Sequence, residues 1–223
     1  MRKAAIGFSI ALNVIFVVAT IALFAAFASG YIIKQFIEPA HARWVSQFEA
    51  LPVNPGDSVF LGDSITEGGS WHELFPEASV RNRGIGGDVT LGVLQRIDQV
   101  RQGQPGQVFL MIGTNDLAFG VPEDEIVGNT RKIIDEIHAV SEHTEIYVQS
   151  VLPRAAEYRE AVESLNKALQ PAIDGAATWI DLYPIFLDDD GSIRDAYSND
   201  ELHLLGAGYV TWRDAIRPYV KRR

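Results

Sequence analysis

The 223-residue sequence contains no cysteine. That excludes a disulfide scaffold, a cysteine nucleophile and a thiolate zinc site, and it is compatible with an oxidising compartment. Basic side chains are few, with 19 Lys and Arg against 29 Asp and Glu for a formal charge of −10. A nucleic-acid partner, whose phosphates need a basic patch, is therefore disfavoured. Several chemical signatures are also missing. His72-Glu73 is followed by Leu74-Phe75-Pro76, so there is no H-E-x-x-H zinc helix, and no G-K-[ST] phosphate loop occurs. Gly84-Ile85-Gly86-Gly87-Asp88-Val89 lacks the last glycine of a dinucleotide fingerprint. Gly62-Asp63-Ser64-Ile65-Thr66 lacks the second glycine of a G-x-S-x-G elbow. No repeat or low-complexity tract appears. The acidic run Asp188 to Asp190, just before Gly191, reads as a turn rather than a calcium loop.

Charge is absent altogether from Ala4 to Ala28, a run of 25 residues whose polar members are Ser9, Asn13 and Thr20. A bilayer-spanning helix needs roughly 20 apolar residues. A cleavable signal peptide has an apolar region of only about 7–15, although Ala26-Phe27-Ala28 offers a small-residue cleavage site. The length favours an uncleaved transmembrane anchor over residues 1–35. Arg2 and Lys3 then keep the N-terminus cytoplasmic, with Tyr31 and Lys34 at the outer interface. This topology predicts a single-pass protein of the cytoplasmic membrane with its remainder outside, periplasmic or extracellular; secretion after cleavage is the alternative. Beyond residue 35 the chain holds 16 basic and 29 acidic side chains, a net charge of −13. Residues 36–56 read as an amphipathic spacer with Trp44, Val45, Phe48 and Leu51 on one face, covering the domain or touching the membrane. Residues 57–223 form the third segment.

What is present in that segment is alternation. Short β-rich runs cover Ser58 to Leu61, Ser79 to Asn82, Val108 to Ile112, Glu145 to Val151 and Thr178 to Leu182. Between and after them lie helical patterns over Val89 to Val100, Glu123 to Val140, Tyr158 to Ile173 and Ala207 to Val220. Five strand–helix alternations predict an α/β fold, a parallel sheet covered by helices on both faces and joined by right-handed crossovers. Ligands of such sheets sit beyond the carboxyl ends of the strands. There the sequence places Gly62-Asp63-Ser64, then Asn82-Arg83-Gly84-Ile85-Gly86-Gly87-Asp88, then Gly113-Thr114-Asn115-Asp116, with Asp200-Glu201-Leu202-His203 near the C-terminus.

A serine hydroxyl needs a neighbouring base. Ser64 follows a predicted strand directly. Of the five histidines, His41 lies in the spacer, His138 and His143 sit on or just after a helix, and His72 reads as a surface residue. His203 stands three residues after Asp200, a spacing that lets the carboxylate accept from Nδ1–H and leaves Nε2 facing a serine. An N-terminal cap is the competing role for Asp200. Acyl transfer also needs oxyanion donors; the candidates are the N–H groups of Ser64 and Gly87 and the amide of Asn115.

These four blocks, in this order over residues 57 to 220, resemble the SGNH, or GDSL, hydrolase family. Ser64 matches the nucleophile position, Gly87 and Asn115 the second- and third-block residues, and Asp200 with His203 the D-x-x-H of the last block. The wording around Gly87 and Asn115 is similar to the subgroup of platelet-activating-factor acetylhydrolase and carbohydrate O-acetylesterases. The resemblance implies a three-layer α/β/α sandwich with a five-stranded flavodoxin-like sheet. It also implies ester hydrolysis through an acyl-enzyme with no metal or cofactor, and a leaning toward short acyl groups on small-molecule, carbohydrate or lipid esters. Trp71, Leu117 and Phe119 are candidates for the acyl wall, although core packing is the favoured role for each; Asp63 and Asp116 read as loop braces. Two rival functions stay open: a lysophospholipase or thioesterase at the membrane, and a non-catalytic carbohydrate-binding protein on the same fold.

Overall fold

A computed structural model of the chain describes residues 15–21, 23, 35 and 37–222. The chain divides into two units, Met1–Trp44 and Val45–Arg223. In the first, residues 15–21 include a helical stretch in which Thr20 Oγ1 donates to the Phe16 carbonyl one turn earlier, at 2.8 Å. The transmembrane anchor expected over residues 1–35 is corrected here. Among the described residues no helix is long and apolar enough to cross a membrane. The membrane location, the outside placement of the domain and the contact with lipid fall with it. Arg2, Lys3, Tyr31, Lys34 and the Ala26–Ala28 cleavage motif lie outside the described residues.

Helix α1 spans Glu38–Ala50. Of the apolar side chains expected on one of its faces, Phe48 is buried beneath the Arg83 guanidinium, 4.6 Å from the ring centroid, whereas Leu51 is exposed. Five strands follow: β1 (Ser58–Gly62), β2 (Val80–Gly84), β3 (Gln107–Met111), β4 (Glu145–Gln149) and β5 (Thr178–Ile180). All pair in parallel, in the order β2-β1-β3-β4-β5. The three longer helices after α1 are α2 (Glu123–His138), α3 (Arg159–Ala172) and α4 (Gly206–Ile216).

Alternation along the strands divides the core chemically, because successive side chains point to opposite faces. Val59 and Leu61 of β1, Val108 and Leu110 of β3, and Ile146 and Val148 of β4 join Ile133, Ile134 and Ile137 of α2 in an aliphatic layer. Phe60, Phe109 and Met111 point the other way, into an aromatic layer with Trp71, Phe75 and Trp212. Phe60 stacks on Trp71 at a centroid distance of 3.9 Å, and Trp212 meets Trp71 edge-on at 4.7 Å. Such contacts add about 0.5–1.5 kcal/mol each beyond area burial.

The expected elements are present with shifted ends. β5 stops at Ile180 because the N–H groups of Leu182 and Tyr183 both turn to the Ser150 hydroxyl, at 2.8 Å each. The single helix expected over Val89 to Val100 is two, Thr90–Gln95 and Asp98–Arg101. The break falls at Arg96, whose side chain turns inward to the strand ends. Since β1 lies between β2 and β3, the connections diverge at the carboxyl ends of β1 and β3, the place where ligands of open parallel sheets bind.

Candidate active site

β1 ends at Gly62, where any side chain would collide: a Cβ would lie 2.3 Å from both the Met111 carbonyl and Thr66 Oγ1. The chain then turns sharply into the short helix Ser64–Glu67, capped by Asp63, whose Oδ1 accepts the Ile65 N–H at 3.0 Å. Tyr209 of α4 donates its hydroxyl to the Ile65 carbonyl at 2.8 Å, holding this turn from the other side. Ser64 is thereby presented just beyond the carboxyl end of β1 with Oγ 3.0 Å from His203 Nε2. His203 Nδ1 lies 2.7 Å from Asp200 Oδ2. A carboxylate only accepts, so Nδ1 carries the proton and Nε2 is free to accept from Ser64.

Asp200 is built into its loop as well as onto the imidazole. Its Oδ1 accepts the backbone N–H groups of His203 at 2.8 Å and Leu202 at 3.1 Å. The bond from His203 and these backbone donors hold its carboxyl down at about 2. It does not cap α4, whose cap position is Leu205 with no side-chain hydrogen bond. A cavity of about 460 Å³ lined by Ile193, Asp195, Ser198, Asn199, Asp200 and Glu201 borders this loop.

Gly87 adopts φ +78°, a left-handed conformation that glycine takes without strain, in the turn closed by the Asp88 N–H on the Ile85 carbonyl. Asn115, on the short helix Thr114–Ala118 after β3, donates one amide N–H to the Asp88 carbonyl at 2.9 Å. That bond ties the Asn115 amide to the residue after Gly87, and the amide retains a second N–H. Asp116 accepts the N–H and hydroxyl of Thr90, and Asn129 donates to that hydroxyl at 3.2 Å. Asp63 and Asp116 are both buried, and burial raises both carboxyls, Asp63 to about 7.

The acyl-wall candidates separate. Trp71 is only 1% exposed, sits inside the aromatic layer and donates its indole N–H to the Thr66 carbonyl at 2.9 Å. It takes the core-packing role: the helix Trp71–Leu74 turns the ring inward onto Phe60. Leu117 is half-buried against the cluster of Ile126, Val162 and Leu165, and Phe119 is 70% exposed. His72 and His143 are exposed beside Glu73 and Glu142. The Asp188–Asp190 run closes a turn in which Asp190 accepts from the Ser192 N–H and hydroxyl. Among the described residues no group of three or more His, Asp or Glu could hold a metal ion.

Two arginines escaped the sequence reading. Arg154 Nη1 donates to the Thr114 carbonyl at 3.0 Å while its guanidinium lies 3.9 Å from the Tyr158 ring centroid. Arg96 pairs with Asp88 at 2.7 Å in the interior. The available signal was a lone cation between Leu94 and Ile97 on an otherwise apolar helical stripe.

Residues 60–210 match the model of the GDSL-like Lipase/Acylhydrolase family. The chain belongs to that family and is a carboxylic ester hydrolase. It is similar to the human platelet-activating factor acetylhydrolase IB subunit alpha1, 29% identical over 183 residues, which span 75% of this chain and 78% of that one. A solved structure from Streptococcus pneumonia, provisionally described as a platelet activating factor, is 28% identical with a TM-score of 0.78, covering 90% of this chain and 99% of that one. A carbohydrate esterase family 3 structure from Talaromyces cellulolyticus shares the fold, with 20% identity, a TM-score of 0.57 and coverage of 73% and 95%.

Proposed function

We propose that the protein is a serine esterase that hydrolyses short acyl esters, acetyl-type esters foremost, through an acyl-enzyme. The observation that carries this reading is the continuous chain from Ser64 Oγ to His203 Nε2 at 3.0 Å and from His203 Nδ1 to Asp200 at 2.7 Å. In this mechanism Ser64 attacks the ester carbonyl while His203 Nε2 takes its proton. Asp200 keeps the ring in the right tautomer and stabilises the imidazolium. The N–H groups of Ser64 and Gly87 and the free N–H of the Asn115 amide receive the oxyanion, each such donor contributing about 3 kcal/mol in the transition state. His203 then protonates the leaving alkoxide, and a water deprotonated by the same nitrogen releases the acid.

The short-acyl preference draws on the acetylhydrolase relative. The test is a profile of p-nitrophenyl esters from C2 to C12 with the purified full-length protein. Highest kcat/KM at C2 to C4 is the expected result. A maximum at C8 or beyond would replace it with a long-chain lipase, and no turnover of any ester would leave a binding protein on a hydrolase fold.

A further inference from the structure

We propose that Arg96 is a positioning residue that keeps the three oxyanion donors in register; the proposal rests on the esterase reading above. Its guanidinium contacts the segments that carry Ser64 and Gly87 directly and the one that carries Asn115 through Asp88. Nη2 donates to the Gly62 carbonyl at 3.1 Å, two residues before Ser64. The same nitrogen donates to the Arg83 carbonyl at 2.9 Å, at the end of the strand leading to Gly87. Nε donates to Asp88 Oδ2 at 2.7 Å, and the Asp88 carbonyl in turn accepts from Asn115. Ser64, Gly87 and Asn115 come from three different strand ends, and this one side chain is bonded into two of them and reaches the third through Asp88.

The energetics favour position over stability. Both side chains of the Arg96–Asp88 pair are at most 4% exposed. Desolvating two charges offsets much of their attraction, so a buried pair of this kind often contributes little net stability. Arg96 Nη1 is moreover buried with no hydrogen-bond partner among the described residues. What the arginine supplies is a planar fork with fixed angles between Gly62, Arg83 and Asp88. A lysine ammonium, a single point on a flexible stem, cannot span that arrangement.

Gly92 gives a second handle. A Cβ there would lie 2.0 Å from Asp88 Oδ1, so alanine forces the carboxylate to rotate away from its present pose. Neither charge is removed, and alanine at a helical position raises intrinsic helix propensity.

The experiment measures kcat and KM on p-nitrophenyl acetate for the full-length wild type, Ser64→Ala, Arg96→Lys and Gly92→Ala, with circular dichroism of each. The expected result is a fall in kcat of at least about tenfold in Arg96→Lys and Gly92→Ala with KM within about twofold, because misplaced donors act on the transition state alone. Should Arg96→Lys not fold, Gly92→Ala decides. With wild type active and Ser64→Ala dead, wild-type kcat in the folded variants overturns the positioning role and leaves the esterase reading standing. A raised KM at unchanged kcat, or loss of fold in both variants, overturns it too. An inactive wild type, or an active Ser64→Ala, instead refutes the esterase reading and this proposal with it.

Discussion

The Asp200 carboxylate grips His203 twice, accepting from the ring Nδ1 at 2.7 Å through Oδ2 and from the backbone N–H at 2.8 Å through Oδ1. One carboxylate therefore fixes both the path of the chain and the orientation of the imidazole. Held down at about 2, Asp200 stays ionised from pH 4 to pH 9. The sign follows: a depressed carboxyl loses its contribution only as pH falls through about 2, so acid loss of activity above pH 4 arises from another group. Asp200→Asn is expected to lower kcat by about 10²–10⁴ by disturbing the tautomer. A kcat within tenfold of wild type would remove Asp200 from that role.

Ser64→Ala should abolish ester hydrolysis while leaving the circular dichroism spectrum intact. Removing the nucleophile of such a triad costs on the order of 10⁶ in kcat. Residual turnover within tenfold of wild type, once contaminating esterase is excluded, would rule out the acyl-enzyme route.

Asn115→Ala is expected to reduce kcat by about 10²–10³ with KM little changed, since its amide meets charge mainly in the transition state. The same change removes the bond to the Asp88 carbonyl, so a thermal melt belongs beside the kinetics. An unchanged kcat with a raised KM would make Asn115 a substrate-binding residue instead.

The sequence was informative wherever function is written in contiguous residues. Ser64, Gly87, Asn115 and the Asp200–His203 pair each follow a strand or precede α4, and local spacing alone suggested that they converge. Arg96 was hidden because its acceptors at Gly62 and Arg83 lie 34 and 13 positions away; a helical stripe records which side is buried, not what an inward charge will meet. Trp71 left two roles open for the opposite reason. It is near Ser64 in sequence, yet a one-turn helix rotates it into the aromatic layer. Hydropathy misled at the N-terminus, since a run free of charge was read as a membrane span, and no described helix has the length and apolarity for one.

The core role of Trp71 has its own test. Trp71→Ala should destabilise the protein by about 3–5 kcal/mol, the usual range for emptying a buried aromatic site. Trp71→Phe keeps much of the stack on Phe60 but loses the bond to the Thr66 carbonyl, so a smaller loss is expected in a urea titration. KM for p-nitrophenyl acetate should stay within about twofold in the phenylalanine variant. A large KM change at preserved stability would return Trp71 to the substrate wall.

Asp63 makes stability depend on pH in a direction opposite to an ordinary ion-paired carboxylate. Burial lifts its carboxyl from the reference 3.8 to about 7 in the folded protein, with nearby Asp88 and Asp116 adding to the rise and the Ile65 N–H opposing it. The folded state therefore binds this proton more tightly than the unfolded chain does. Its contribution to stability is whole below about pH 4 and is lost as pH rises through about 7. At roughly 1.4 kcal/mol per pKa unit, the loss between those limits is at most about 4 kcal/mol. Asp63→Asn keeps an oxygen to accept the Ile65 N–H and removes the titration. Urea unfolding at pH 5 and pH 8 is expected to show wild type losing more stability than Asp63→Asn between the two, with the variant the more stable protein at pH 8. Parallel losses in both proteins would mean that Asp63 does not titrate in this window and that its burial is balanced by partners that keep it ionised.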